Sequence, residues 1–261
     1  MGLNLKVKMS NYPNTKIHNT LPKILKHRAD TIPNTVALRD KDLGIWNEIT
    51  WKQYNDNVSY LALGLAKRGF KAGDVLGLIG DNKPSWIFFE LAAQAAGGMS
   101  LGVYRDTLDE EVGYLMDAAK VSFVYAEDQE QVDKILTIKR PKNNPINIFY
   151  EDSRGLKELN DPNITDMLDL INEGKALTSK YPEKYNKMID KVSGEQNAIL
   201  CTTSGTTSNP KLAMLPGGKF VDHVIRYLNV DPKTVNDEYV SVLPFPWIME
   251  QIYGVGFNIV G

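Results

Sequence analysis

The sequence is poor in the residues that build covalent or metal-stabilised sites. It contains one cysteine, Cys201, in 261 residues, which excludes an internal disulfide framework and a cysteine-rich zinc site. Cys201 could be a reactive thiol, but free cysteines are usually buried, so we favour a small buried strand residue. The three histidines, His18, His27 and His223, are scattered along the chain. We therefore expect surface or capping roles for them and no metal site.

Charge of one sign and long apolar runs are also lacking. The formal net charge is −2, so nothing indicates a nucleic-acid partner or an anionic membrane. No apolar run reaches the ~18–20 residues that span a bilayer. Residues 1–10 carry lysines without the apolar core of a signal peptide. We expect a cytoplasmic protein, with peripheral contact at a membrane as an open alternative.

Short apolar runs bounded by turn residues recur along the chain, as is typical of buried strands. They predict strands at residues 75–79, 99–104, 121–126, 146–150, 198–202 and 239–243. Helical patterns lie between them and begin at a capping box at residues 50–53, at Pro84, at a second capping box at residues 107–110, and at Lys219. This alternation predicts an α/β fold with mainly parallel sheets flanked by helices.

We divide the chain into three parts. Residues 1–20 form a loose polar arm. Residues 21–190 form a first α/β subdomain, whose polar stretch at 151–190 is interpreted as a surface connection. Residues 191–261 open a second α/β subdomain.

The most specific segment is residues 203–211, Thr-Ser-Gly-Thr-Thr-Ser-Asn-Pro-Lys, here called the 203–211 loop. Gly205 allows close approach of the backbone to a ligand, and successive amides in such a turn form an anion-binding nest. Hydroxyl groups and the Lys211 ammonium suit phosphate. Pro210 rather than glycine precedes Lys211, so the loop is not a Walker A motif. A plain Ser/Thr turn stays an alternative.

The 203–211 loop resembles the phosphate-loop signature T-S-G-T-T-G-x-P-K-G of the adenylate-forming superfamily, which includes acyl-CoA synthetases, luciferases and nonribosomal adenylation domains. Ser208 and Leu212 replace two of its glycines, which bears on loop flexibility. The resemblance covers roughly residues 20–261 and implies the N-terminal part of the two-subdomain adenylate-forming fold. The ATP phosphate-binding residues that it implies are Thr203, Ser204, Gly205, Thr206, Thr207 and Lys211. Thr206 is the candidate Mg²⁺ ligand, with Thr207 as the alternative.

Four further segments resemble motifs of this superfamily, and two of them resemble its long-chain fatty-acid subgroup. The segments are residues 49–54, 73–78, 103–112 and 241–250. Trp247 stands where many relatives carry histidine. The resemblance implies that its ring borders the carboxylate and acyl pocket, and a core aromatic beside two prolines is the alternative.

The resemblance implies a two-step ligase that uses ATP, Mg²⁺ and coenzyme A. A fatty carboxylate attacks the α-phosphate of ATP to give an acyl-adenylate and pyrophosphate, and the thiol of coenzyme A then attacks the acyl carbon and releases AMP. The family's Y-G-x-T-E segment, ribose-binding aspartate and catalytic lysine are not found in the 261 residues. We therefore expect the catalytic lysine beyond the chain end, in a missing C-terminal half, and no acyl-CoA formation by this chain alone.

Two other hypotheses remain. One is a non-catalytic nucleotide-binding or scaffold protein derived from an adenylate-forming enzyme, which Ser208 and Leu212 favour. The other is a flavodoxin-like domain that binds a different phosphate ligand, although this hypothesis does not account for the 203–211 loop.

Overall fold

A computed structural model describes residues 13–139, 145–203, 210–234 and 236–261. In chain order its elements are α1 (Leu21–Thr31), β1 (Val36–Asp42), β2 (Ile45–Thr50), α2 (Trp51–Lys67), β3 (Val75–Ile79), α3 (Pro84–Ala95), β4 (Met99–Val103), α4 (Asp109–Ala118), β5 (Phe123–Ala126), α5 (Gln129–Leu136), β6 (Asn147–Tyr150), β7 (Ile164–Asp166), α6 (Met167–Lys180), α7 (Lys184–Asp190), β8 (Asn197–Thr203), β9 (Lys211–Pro216), α8 (Gly217–Val230), α9 (Ile248–Glu250), a π-helical segment (Gln251–Gly256) and α10 (Phe257–Val260). None of the helices in these ranges is long and apolar enough to cross a membrane.

A seven-stranded sheet with the order β7-β6-β5-β3-β4-β8-β9 forms the centre of the fold. Every neighbouring pair is parallel except β8 and β9, which are antiparallel. All five residues of β3 are buried, because helices cover both faces of the sheet and leave no polar face. The predicted α/β class and the mainly parallel sheet are confirmed.

The helix signals near Thr50 are confirmed. The Thr50 side chain accepts a hydrogen bond from the Gln53 amide, and the Gln53 side chain accepts one from the Thr50 amide, which completes the capping box. After α2 ends, Gly69 takes a φ of 102°, as expected for a glycine after a helix C-terminus. Pro84 is the first residue of α3, as predicted.

The second predicted capping box is wrong. Leu108 occupies the N-cap position of α4 and makes no side-chain capping bond. The first turn instead carries the acidic residues Asp109, Glu110 and Glu111, and their charge is favourable near the positive end of the helix dipole.

Residues 151–190, which were interpreted as a surface connection, include an element that packs on the core. The segment contains α6, whose Leu170 is fully buried against α2. The two helices cross at glycines: a Cβ on Gly174 would lie 1.9 Å from the backbone oxygen of Tyr60, and one on Gly64 would lie 2.7 Å from that of Leu170. Small residues at the crossing therefore let a largely polar helix pack closely onto the core.

Several strands differ from the prediction. The predicted strand at residues 239–243 is absent, and Val240 and Val242 are exposed. The hairpin of β1 and β2 was missed because its turn is Leu43-Gly44, in which leucine adopts a φ of 45° instead of the usual Asn-Gly. β9 was missed because its first residue, Lys211, was assigned to the loop.

The predicted boundary at residue 190 falls between α7 and β8. β8 pairs with β4, so the same sheet continues across that boundary. The division into two subdomains stays a prediction, and most of the predicted arm, residues 1–12, lies outside the described residues.

Candidate active site at the carboxyl edge of the sheet

The two ends of the 203–211 loop are fixed by the sheet. Thr203 is the last residue of β8 and pairs with Lys211, the first residue of β9. The Thr203 hydroxyl donates a hydrogen bond to the Lys211 carbonyl oxygen at 3.3 Å. Because β8 is parallel to β4, the two ends of the loop lie at the carboxyl edge of the sheet, where α/β folds bind ligands. The predicted residues Ser204, Gly205, Thr206 and Thr207 lie outside the described residues.

Lys211 is exposed at this edge. Within the described part of the chain its ammonium group forms no ion pair. The neighbouring Pro210 is braced from α4, because the Tyr114 hydroxyl donates a hydrogen bond to the Pro210 carbonyl oxygen at 3.2 Å. The end of the loop is thus held in place while its cation faces solvent, an arrangement that suits an anionic ligand.

The segment 244–247, here called the 244–247 turn, lies at the same edge of the sheet. Asn82, which follows β3, donates hydrogen bonds from its side-chain amide to Ser241 Oγ and to the Leu243 carbonyl oxygen, both at 2.7 Å. Pro246 lies against β4, where a Cβ on Gly102 would approach the Pro246 Cα to 2.8 Å. Since β4 lies between β3 and β8, the turn and the ends of the loop are neighbours along the edge.

Trp247 is 46% exposed. This exposure does not fit the alternative of a core aromatic. The aromatic ring that enters the core is that of Phe245, which stacks on Trp86 with centroids 4.9 Å apart. Whether the Trp247 ring borders an acyl pocket stays a prediction.

A buried carboxyl group behind the turn was missed by the sequence analysis. Glu90 of α3 is fully buried, and this burial raises its pKa from 4.5 to about 7, while hydrogen bonding limits the rise. Its Oε1 accepts hydrogen bonds from Ser100 Oγ at 3.1 Å and from Gln94 Nε2 at 3.3 Å. A single acid in the mainly apolar α3 gives no sequence pattern from which a buried, hydrogen-bonded carboxyl group could have been recognised.

Cys201 is buried in β8. Burial, together with the nearby Glu90 carboxyl, raises the pKa of the thiol to about 11. The interpretation as a buried strand residue is confirmed, because a reactive cysteine needs an exposed thiol with a lowered pKa.

A second group of charges lies at the carboxyl ends of β3 and β5. The Arg105 guanidinium forms ion pairs with Asp81 and with Asp128, the latter at 3.3 Å. Lys83 pairs with Glu127 at 2.9 Å. These cations are matched by carboxylates, so this part of the edge presents little free positive charge. The sequence analysis did not single out these residues.

The histidines are less scattered than the sequence suggested, because His18 and His27 stack with ring centroids 4.6 Å apart. His223 lies separately, against Tyr227. Among the described residues no group of three or more His, Cys, Asp or Glu side chains could hold a metal ion.

Comparison with known proteins agrees with the fold. A family model described as AMP-binding enzyme matches residues 25–260. The long-chain-fatty-acid–CoA ligase ACSBG2 of Rattus norvegicus is 27% identical over 242 residues, covering 90% of this chain and 35% of that protein. The ligase ACSBG1 of Mus musculus is 29% identical over 241 residues, covering 90% of this chain and 32% of that protein. The chain spans about a third of the length of these curated relatives.

Solved structures share the fold. A fatty acid AMP ligase from Legionella pneumophila superposes with a TM-score of 0.74 at 16% identity, over 97% of this chain and 40% of that one. An acyl-CoA synthetase of Brucella canis superposes with a TM-score of 0.71 at 17% identity, over 93% of this chain and 42% of that one. Since the family model matches nearly the whole length, the chain belongs to the family of AMP-binding enzymes.

Proposed function

We propose that this chain is the ATP- and carboxylate-binding part of a long-chain fatty acid–CoA ligase, which activates a fatty acid with ATP and transfers the acyl group to coenzyme A. Family membership and relatives named as long-chain-fatty-acid–CoA ligases support this proposal. The observation that carries it is the pairing of Thr203 with Lys211, which closes the 203–211 loop at the carboxyl edge beside the 244–247 turn.

The residues at this edge fit a polyphosphate. Lys211 is exposed at the end of the loop, and a mobile ammonium is a common phosphate ligand. We propose that Lys211 neutralises the β- and γ-phosphates, together with Thr203, Ser204, Gly205, Thr206 and Thr207. Mg²⁺, with Thr206 as its proposed ligand, would add charge neutralisation on the phosphate oxygens.

We assign the carboxylate end of the site to the 244–247 turn. Trp247 presents a partly exposed ring at the edge where the loop also lies. Aromatic rings provide a large apolar surface for a ligand chain. In this arrangement the fatty carboxylate would lie between the ring and the phosphates, so that positioning supplies much of the rate acceleration.

A non-catalytic nucleotide-binding or scaffold protein is the second candidate, because Ser208 and Leu212 replace two glycines of the signature. The flavodoxin-like hypothesis is weaker. The order β4-β3-β5-β6-β7 does follow the flavodoxin pattern. However, Glu127 and Asp128 line the carboxyl end of β5 at its switch point, and these carboxylates disfavour a phosphate there.

This proposal includes the activity of the whole enzyme and its use of coenzyme A. It also includes contact between this chain and a C-terminal half of the enzyme, which corresponds to the unmatched length of the relatives. A cytoplasmic location, with peripheral contact at a membrane, stays a prediction.

Calorimetric titration with ATP in the presence of Mg²⁺ tests the proposal. Lys211→Ala is expected to weaken binding about tenfold to a hundredfold, because a hydrogen bond to a charged group contributes about 1.5–3 kcal/mol. Lys219→Ala is the control. Lys219 is exposed at the start of α8, which follows β9 at the opposite edge of the sheet, so its removal changes net charge equally and should leave the affinity unchanged. A folded wild-type chain that does not bind ATP contradicts the proposal.

A further inference from the structure

Both backbone polar groups of Phe245 are bonded to side-chain amides, one from Asn82 and one from Gln251. The Phe245 amide donates a hydrogen bond to Asn82 Oδ1 at 3.2 Å. The Phe245 carbonyl oxygen accepts one from Gln251 Nε2 at 2.9 Å. The turn is therefore held by two side chains, in place of the backbone ladder that the sequence analysis predicted for the neighbouring residues 239–243.

Asn82 uses its whole amide group for this segment. Its Nδ2 donates to Ser241 Oγ and to the Leu243 carbonyl oxygen, both at 2.7 Å, and its Oδ1 accepts from the Phe245 amide. An asparagine side chain has two N–H donors and a carbonyl acceptor. Here all three bonds go to one segment that is about 160 residues away in the sequence.

Gln251 holds the turn from its other side. Its side chain is 2% exposed, and it is the first residue of the π-helical segment. Segments of this kind are rare and frequently occur at functional sites. The Gln251 amide also lies beside the buried Glu90 carboxyl, which joins the turn to the polar group of α3.

The rest of the turn is fixed by packing. Phe245 is buried and stacks on Trp86, and Pro246 contacts β4 closely enough that only glycine fits at position 102. Proline at positions 244 and 246 restricts the backbone further. Trp247 is the aromatic residue of this turn that remains half exposed, so a rigid support presents a single ring at the edge of the sheet.

We propose that Asn82 is a positioning residue that orients the Trp247 ring toward the acyl chain of the substrate. The identification of that substrate rests on the proposed function. The positioning itself rests on the hydrogen bonds of Asn82, and it can be tested even if the proposed function is wrong.

The fluorescence of Trp247 provides the test. Trp46→Phe is introduced in every sample, because Trp46 is 61% exposed, whereas Trp51 and Trp86 are buried. Quenching by acrylamide then reports mainly on the exposure of Trp247. Stearate that carries a nitroxide label on its chain is used as the fatty-acid probe.

Three variants are compared in this background. Asn82→Asp keeps an acceptor for the Phe245 amide but loses the two donated bonds, and Asn82→Ala loses all three. Ser241→Ala removes a single partner at an exposed position, so it provides a result even if the Asn82 variants do not fold. Asn57→Ala is the control, since Asn57 is a partly exposed asparagine of α2 whose side chain bonds only to the Gln53 carbonyl in the described structure.

We expect altered acrylamide quenching and about tenfold weaker binding of the stearate probe in both Asn82 variants, and a smaller change in Ser241→Ala, because a lost hydrogen bond in a partly buried site costs about 1–2 kcal/mol. ATP affinity should be unchanged, which a general loss of structure would not allow. Unaltered quenching in all three variants overturns the inference. Altered quenching with no probe binding by the parent protein supports the positioning role and contradicts the acyl part of the proposed function.

Discussion

Thr203 and Lys211 face each other in the antiparallel ladder of β8 and β9, and the Thr203 hydroxyl bonds to the Lys211 carbonyl oxygen. The pairing fixes both ends of the intervening segment at the carboxyl edge of the sheet. A loop whose ends are already fixed loses less conformational entropy when it closes on a ligand. The sheet thus fixes the two ends of the segment that we propose to bind the phosphates of ATP.

Gly174→Ala should destabilise the protein. The added Cβ would lie 1.9 Å from the Tyr60 backbone oxygen, so α6 must move away from α2. We expect a loss of about 1–3 kcal/mol in the free energy of unfolding, measured by urea denaturation.

Gly113→Ala is the matched control for that substitution. Gly113 also lies inside a helix, and a Cβ there would come no closer than 3.9 Å to Ile138. The change should stabilise the protein by about 0.5–1 kcal/mol, because alanine favours a helix over glycine. Equal effects of the two substitutions would contradict a close crossing of α2 and α6.

Glu90→Gln should change how stability depends on pH. Because burial raises the pKa of Glu90 from 4.5 to about 7, the folded state holds a proton that the unfolded state releases between these values. The wild-type stability is therefore fully present below pH 4.5 and falls as the pH rises through about 7. The stability lost over this pH range corresponds to at most about 3 kcal/mol.

Glutamine is neutral at every pH and can still accept from Ser100. The free energy of unfolding should thus be measured in urea at pH 5 and pH 8. Relative to the wild type, that of the variant should be higher at pH 8 than at pH 5. Glu111→Gln, at an exposed position in the first turn of α4, should show the same pH dependence of stability as the wild type. A Glu90→Gln variant whose pH profile parallels the wild type would refute a buried, proton-holding carboxyl.

Cys201 should resist thiol reagents in the folded protein. Its burial and its pKa of about 11 leave little thiolate at neutral pH, and the thiolate is the reactive form. Modification by a disulfide reagent at pH 7.5 should be slow in buffer and rapid in denaturant. Rapid reaction of the native protein would revive the interpretation as a reactive thiol.

The sequence predicted elements well where local signals agreed. β3 combines an apolar run with glycine and aspartate on both sides, and the capping box at Thr50 has both partners in place. The prediction from sequence failed where tertiary contacts determine the backbone conformation. Residues 239–243 have strand-like composition, yet the backbone there bonds to the Asn82 side chain, which no local pattern indicates.

The candidate site was predictable only in part. The hydroxyl residues and Lys211 were assigned from the resemblance of residues 203–211 to a family signature, and their role stays a prediction. Glu90 and Gln251 could not be recognised, because no local sequence pattern indicates the hydrogen bond from Ser100 to Glu90 or the one from Gln251 to the Phe245 carbonyl oxygen.

The 203–211 loop is proposed to bind the terminal phosphates of ATP. The most direct measurement is calorimetric titration of the wild type and Lys211→Ala with both ATP and AMP. If Lys211 contacts the β- and γ-phosphates, the variant should lose about tenfold or more in affinity for ATP and retain its affinity for AMP, which lacks those groups. An equal loss for both nucleotides, or no loss for either, would contradict the account.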